Sequence, residues 1–307
     1  MITTLKGTTA RDIQNAIMRA RQNVGVASGL VFTLLVVAPA SDYDEVFDAC
    51  VEAGREHPSR IILATDGSAR TTRLDAELHV GDEVPGEIVA LRFHGELRDH
   101  KASTLLALLL PDSPVIAWWP REAPEPVASD PVGALATRRI TDGMGCADPL
   151  TRLLERAQGL APGDTDLTWT RLTPWRAMLA SALDIHQLPV TAASVHAADD
   201  NAAGLLLASW LGSRLGIEAS FTGNAGPGIT KVTLTTAEGD ISLTRTDGRM
   251  ATLAAPGAPT RAVALRRREM SALITEELRR LDSDQVFLAT MNHLAATMMP
   301  GPDAAKE

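Results

Sequence analysis

Seven histidines, at positions 57, 79, 94, 100, 186, 196 and 293, are the side chains best suited to proton transfer or metal binding near neutral pH. No two of them form the i, i+4 pair around a glutamate that sets two imidazoles on one helix face for zinc. His94 and His100 bracket Glu96 and Asp99, a local set able to converge on a metal or an acid–base pair. No second ligand group lies nearby in sequence, so surface or capping roles are expected. Gly-x-Ser-x-Gly is absent, and no serine or cysteine has an identifiable partner base. No catalytic residue, no metal ligand and no cofactor-binding residue is predicted.

Two glycine-bearing segments invite a phosphate reading. Gly223-Asn-Ala-Gly-Pro-Gly228-Ile-Thr-Lys231 fails as a P-loop, because Ile229 and Thr230 separate the last glycine from the lysine. It is expected to be a loop before a hairpin. Asp66-Gly67-Ser68 follows a buried apolar run, where doubly wound sheets bind ligands. The Gly-x-Gly-x-x-Gly turn expected after the first strand is missing, since Leu30–Val37 runs into Ala38-Pro39-Ala40-Ser41.

The tryptophans carry more information. Aromatics make up only 4% of the chain, yet Trp118-Trp119-Pro120 and Trp169-Thr-Arg-Leu-Thr-Pro-Trp175-Arg176 hold four of its five tryptophans. Adjacent residues of a strand face opposite ways, so Trp118 and Trp119 cannot enter the same core. Trp119, Trp169, Arg171, Trp175 and Arg176 are the candidate partner-binding residues. Large amphipathic rings and planar guanidiniums bury much area while satisfying polar groups, as at protein–protein hot spots. The alternative is that the same residues hold two domains together at their junction.

Composition narrows the function classes. The chain of 307 residues carries 29 Lys and Arg against 38 Asp and Glu, a formal charge of −9. That balance argues against nucleic acid and acidic membranes as partners. No apolar run approaches the length needed to span a bilayer; Leu30–Ala40 is interrupted by Thr33 and Pro39. Met1-Ile-Thr-Thr-Leu-Lys6 does not read as a signal peptide, and a cytoplasmic location is expected. The two cysteines do not make a disulfide framework. Cys50 falls on the apolar stripe of a predicted helix and reads as a core thiol. Cys146, in Asp142-Gly-Met-Gly-Cys146, is expected to be exposed, with its redox role left open.

The elements that position these groups follow from periodicity. Helices are predicted over Asp12–Ala20, from Ser41 or Asp42 as N-cap to His57-Pro58, and over Lys101–Leu110. Strands are predicted over Leu30–Val37, Ile61–Thr65, Leu74–Val80, Glu87–Phe93 and Pro114–Trp119. The result is an α/β N-terminal domain, residues 1–160, with a mostly parallel or mixed sheet. After a break at Gly159–Asp166, Thr173-Pro174 starts a helix carrying Trp175, Met178, Leu179, Ala182 and Leu183 on one stripe. A strand over Pro189–His196, a helix over Asn201–Leu215, then strands at 229–236, 240–245, 249–254 and 261–265 precede two helices, 269–281 and 283–297. Residues 165–299 are therefore expected to form an α+β C-terminal domain with an antiparallel meander, and 300–307 a disordered tail.

Several segments carry a family resemblance. They are Arg55-Glu-His-Pro-Ser-Arg60, Gly95-Glu-Leu-Arg-Asp-His100, Leu108–Pro120, Pro131–Asp142, Asp164–Arg176, Gly226-Pro-Gly-Ile-Thr230 and Glu277-Leu-Arg-Arg-Leu-Asp282. In this order the chain resembles the glucose-6-phosphate dehydrogenase assembly protein family, OpcA. The resemblance implies a non-catalytic assembly factor or allosteric activator that binds glucose-6-phosphate dehydrogenase and promotes its active form in the oxidative pentose phosphate pathway. It implies no cofactor and no catalytic residue. Thioredoxin control, associated with some members, would want a close cysteine pair; Cys50 and Cys146 stand far apart. The alternative from another class is a nucleotide- or sugar-phosphate-binding enzyme that uses the N-terminal α/β domain.

Overall fold

The structure, a computed structural model, describes residues 1–24, 29–81, 84–245 and 247–298. The chain forms two compact units, each assembled from several stretches of sequence. The first takes Met1–Asp142, Ala161–Thr165 and Glu269–Ser283; the second takes Gly143–Leu160, Asp166–Arg268 and the chain from Asp284.

The first unit contains β1 (Ile2–Leu5), α1 (Ala10–Val24), β2 (Thr33–Ala38), α2 (Tyr43–Glu56), β3 (Arg60–Asp66), β4 (Arg73–Gly81), β5 (Val84–His94), α3 (Lys101–Leu108), β6 (Val115–Trp119) and β7 (Arg138–Thr141). Its eight-stranded sheet runs β1-β4-β5-β3-β2-β6-β7-β8, with β8 (Asp164–Asp166) at the edge. The sheet is mixed. β2, β3, β5, β6 and β7 pair in parallel, whereas β1, β4 and β5 form an antiparallel edge.

Central strands covered on both faces must be apolar throughout, and Leu34, Leu35, Ile61, Ile62, Leu63 and Ala64 are fully buried. On one face Ile13 and Ile17 of α1 and Leu105 and Leu108 of α3 join Leu35, Ile62, Val89, Leu91 and Trp119 in one core. Each such Leu or Ile contributes about 1.5–3 kcal/mol through burial. On the other face α2 packs against β3 and β5 and also against α8 (Met270–Glu277). α8 thus belongs to a sheet from which it is separated by a long stretch of sequence.

Buried charges in this unit are paired, as low dielectric requires. Glu87 accepts from Arg60 at 3.0 Å and from Arg21, while Arg60 also reaches the Leu108 carbonyl at 2.7 Å. Arg139 pairs with Asp164, and Arg138 with Glu277 of α8.

The second unit holds α4 (Pro149–Gln158), α5 (Leu167–Arg171), α6 (Thr173–His186), β9 (Val190–Ala198), α7 (Ala202–Leu215), β10 (Glu218–Asn224), β11 (Lys231–Thr236), β12 (Gly239–Thr244), β13 (Met250–Ala254), β14 (Arg261–Ala264) and α9 (Gln285–Met298). Its sheet runs β10-β9-β11-β12-β13-β14, with β9 and β10 parallel and the remaining pairs antiparallel. α7 is apolar nearly all round, so it is the central helix: Leu206 and Leu207 are fully buried among Val195, Val232, Leu234, Phe287 and Met291. Asn201 caps it by accepting from the Gly204 amide at 2.8 Å.

The fold class read from the sequence holds: mixed α/β first, then a mainly antiparallel α+β sheet. Several local expectations need correction. Asp42 takes the N-cap position of α2 but makes no capping bond; its carboxylate is engaged by Arg121 and by the Ser41 hydroxyl. Thr173 lies inside the first turn of α6 instead of capping it, and Leu172 takes the position before it. β10 was not expected, nor were α4 and α5. β10 presents mostly exposed polar residues and one half-buried phenylalanine, too weak an alternation to announce a strand. The expected tail at 300–307 lies outside the described residues.

Candidate functional site

The tryptophan–arginine segment is positioned by Asp166. Its carboxylate accepts from the Thr168 amide at 2.7 Å, which starts α5, and from the Gly143 amide at 3.0 Å. Arg156 of α4 pairs with the same carboxylate and also reaches Cys146 Sγ at 3.6 Å. A charge that is 1% exposed is thus satisfied by two amides and a guanidinium. Cys146, expected to be exposed, is buried, because its glycine-rich segment turns inward onto this cluster.

From that anchor, α5 and α6 place two stacked arginine–tryptophan pairs. The Arg176 guanidinium lies 3.5 Å from the Trp169 ring centroid, and Arg245 lies 4.9 Å from that of Trp175. The Trp169 indole N–H donates to Asp284 Oδ2 at 2.9 Å, and its ring meets Phe287 at 5.8 Å between centroids. Burial works to raise the Asp284 pKa. The Trp169 N–H, the Phe287 and Val286 amides and the Arg176 charge outweigh it, and the carboxyl titrates below its usual range.

Of the sequence-predicted residues, Trp169, Trp175 and Arg176 come together here, with Trp169 and Trp175 each 2% exposed. Arg171, intermediate in exposure, is the last residue of α5. Trp119 sits apart, on β6 in the core of the first unit. Trp118 is turned to the opposite face and is fully buried, its indole nitrogen lacking a hydrogen-bond partner among the described residues. Asp284, Arg245 and Arg268 were missed by sequence reasoning. Asp284 accepts the Val286 and Phe287 amides, a capping signal visible in Ser283-Asp284. Arg268 reaches the Thr170 carbonyl through a chain separation no local pattern reports.

At the carboxyl ends of β3 and β5 the protein's own side chains pack together. Asp66 at the end of β3 is held by Lys101 at 2.8 Å. His94 Nδ1 accepts from the Ser68 amide at 3.0 Å, so the proton sits on Nε2, which lies 3.2 Å from Asp75. A Cβ on Gly67 would stand 2.4 Å from that imidazole. On the sheet face beside it opens a cavity of about 240 Å³ lined by Lys6, Tyr43, Thr65, Glu77 and Arg92. Burial and the neighbouring Glu77 push the Tyr43 phenol up to about 12, so it remains a hydrogen-bond donor at neutral pH. Among the described residues no cluster of His, Cys, Asp or Glu is arranged to hold a metal. None of the helices searched is long and apolar enough to cross a membrane.

No curated protein matches the chain. A mutant of KijD10, a 3-ketoreductase from Actinomadura kijaniata solved with TDP-benzene and NADP, superposes with TM-score 0.51 at 9% identity, covering 87% of this chain and 95% of that one. An oxidoreductase from Sinorhizobium meliloti gives TM-score 0.46 at 10% identity, over 86% of each chain. At such identities the first likeness speaks for the fold alone. The sequence is more informative. Residues 50–158 match the family described as glucose-6-phosphate dehydrogenase subunit N-terminal domain, and residues 162–291 match its C-terminal domain. With both of its domains present, in order and over most of the chain, this protein belongs to the OpcA family of glucose-6-phosphate dehydrogenase assembly subunits.

Proposed function

We propose that the chain is a non-catalytic cytoplasmic partner that binds glucose-6-phosphate dehydrogenase and promotes its active form, serving the oxidative pentose phosphate pathway. The observation that carries this reading is the ordered match to both subunit domains over 50–158 and 162–291. An activator shifts its partner's population only by binding the active state more tightly than the inactive one. A coupling of about 1–3 kcal/mol changes substrate affinity roughly 5- to 150-fold.

Within this proposal Arg171 and Arg176 supply contacts to the dehydrogenase. The buried Trp169 and Trp175 act beneath the surface by fixing the arginines and the α5–α6 turn. Trp119 contributes through the rigidity of β6. The deciding experiment is a glucose 6-phosphate titration of the dehydrogenase from the same cell, with and without the purified chain. A leftward shift or a higher plateau supports the proposal. Superimposable curves, together with no complex by analytical ultracentrifugation, remove it.

A second reading, a nucleotide- or sugar-phosphate-binding enzyme, is favoured by one observation: the fold is shared with a reductase solved with NADP. It predicts saturable binding of a nicotinamide cofactor to the chain alone.

A further inference from the structure

The arginine pair at the turns flanking β11 and β12 supports an inference independent of the dehydrogenase reading. Between Arg245 and Arg268 the sequence holds six arginines and one acidic residue, Asp247, in a chain whose net charge is −9. Two of these arginines converge. Arg245 follows β12 and is 7% exposed, its guanidinium donating to the Leu265 carbonyl at 3.0 Å and the Ile229 carbonyl at 3.3 Å. Arg267 follows β14 and is exposed, its backbone amide donating to the Gly248 carbonyl at 3.0 Å.

Glycines open the space around the second guanidinium. Gly228 and Gly248 have φ of +75° and +74°, and a Cβ on either would meet Arg267 at 3.2 Å and 3.4 Å. The rim is completed by the Asn201 amide group, 3.6 Å from the same Gly228 position. Gly228, the last glycine of the segment that fails as a P-loop, is therefore one wall of a cationic recess between strand ends.

The carboxylates near the recess are not paired with its arginines: Asp199 packs against Gly223, at the other end of the glycine-rich segment. Among the described residues neither Arg245 nor Arg267 forms an ion pair with a carboxylate. Asp247, the acid closest in sequence, turns its Oδ1 to the Arg249 and Met250 amides at 2.8 and 2.9 Å. Burial, followed by the Arg267 charge, pushes the Arg245 pKa down to about 10 against the opposing pull of Asp247. Arg245 is held by two carbonyls and the Trp175 face, so two like charges lie near each other with no carboxylate paired to either among the described residues, an arrangement that a bound anion would favour.

We infer that Arg245, Arg267 and the Gly226–Gly228 turn form a binding site for a phosphate dianion, either free or as the monoester of a small metabolite. A dianion balances both guanidiniums, whereas a single carboxylate balances one, and planar guanidiniums suit the edges of a tetrahedral oxyanion.

The test is calorimetric titration of the full chain with inorganic phosphate at constant ionic strength, alongside acetate and glycerol phosphate. Saturable phosphate binding is expected, with acetate roughly tenfold or more weaker. Glycerol phosphate displacing phosphate identifies an ester-accepting site, and its failure to do so restricts the ligand to the free ion; both support the site. Arg267→Gln should weaken phosphate by about tenfold or more, and Arg267→Lys should restore part of the loss. Arg261→Gln, on the same hairpin but outside the recess, should change nothing. No saturable phosphate binding, acetate binding as tight as phosphate, or equal effects of Arg261→Gln and Arg267→Gln would each overturn the inference.

Discussion

The Arg176 guanidinium stands 3.5 Å from the Trp169 ring centroid, while the N–H of the same indole donates to Asp284 at 2.9 Å. One ring therefore couples a cation on α6 to a carboxylate at the start of α9. Arg176→Ala should lower stability by about 0.5–2 kcal/mol, and Trp169→Phe by about 1–3 kcal/mol because Asp284 loses a donor. Denaturant unfolding measures both. If Arg176→Ala folds and still activates the dehydrogenase fully, this arginine is not part of the contact.

The depressed Asp284 pKa gives a signed pH prediction. A carboxyl whose folded pKa lies below its unfolded value of about 3.9 adds stability above that value and loses it as pH falls through the folded pKa. The stability difference between wild type and Asp284→Asn should be greatest near neutrality and shrink below about pH 4. A gap that stays constant down to acid unfolding would show that charge is not what Asp284 contributes.

At the sheet edge, Gly67→Ala places a methyl 2.4 Å from the His94 ring and should destabilise by about 1–3 kcal/mol. In a His94→Ala background the same substitution should cost little, since the space is vacated. A double-mutant cycle reads the coupling. Additive effects would mean that Gly67 is required for some other reason.

Trp118 offers a test of an unsatisfied donor. It is fully buried and its indole nitrogen has no hydrogen-bond partner among the described residues. Trp118→Phe removes that donor along with some volume, and should leave stability within about 1 kcal/mol of wild type or raise it. Trp118→Ala should cost about 3–5 kcal/mol. A comparable loss from the phenylalanine variant would contradict an unpaired indole.

The core strands were legible because a strand buried on both faces is written as an uninterrupted apolar run, as in Leu34–Val36 and Ile61–Ala64. α7 was legible over Asn201–Leu215 and is observed at Ala202–Leu215. Capping was less so: Asp42 and Ser41 look like caps, but tertiary partners took Asp42, and local spacing carries no record of Arg121. Cys146 looked exposed because glycines usually mark surface turns; here the turn folds inward onto Arg156. The assembly of the tryptophan cluster was half visible. Trp169, Trp175 and Arg176 sit within one short stretch of sequence, whereas Asp284 and Arg245 arrive from distant segments, and only the fold makes them neighbours. The recess of Arg245 and Arg267 was invisible for the same reason, although the glycine-rich loop that walls it was noticed.

The placement of α8 has a consequence for biosynthesis. Arg138 is 3% exposed and its carboxylate, Glu277, is translated long after it, as is the Thr275 carbonyl that lies 3.0 Å from His57 Nε2. A ribosome-bound chain that has emerged only to β7 holds an unneutralised guanidinium and an uncovered flank of α2. The amino-terminal sheet therefore reaches its finished state only after almost the entire polypeptide has been made, and a product truncated before Met270 should be a chaperone client with no stable existence of its own.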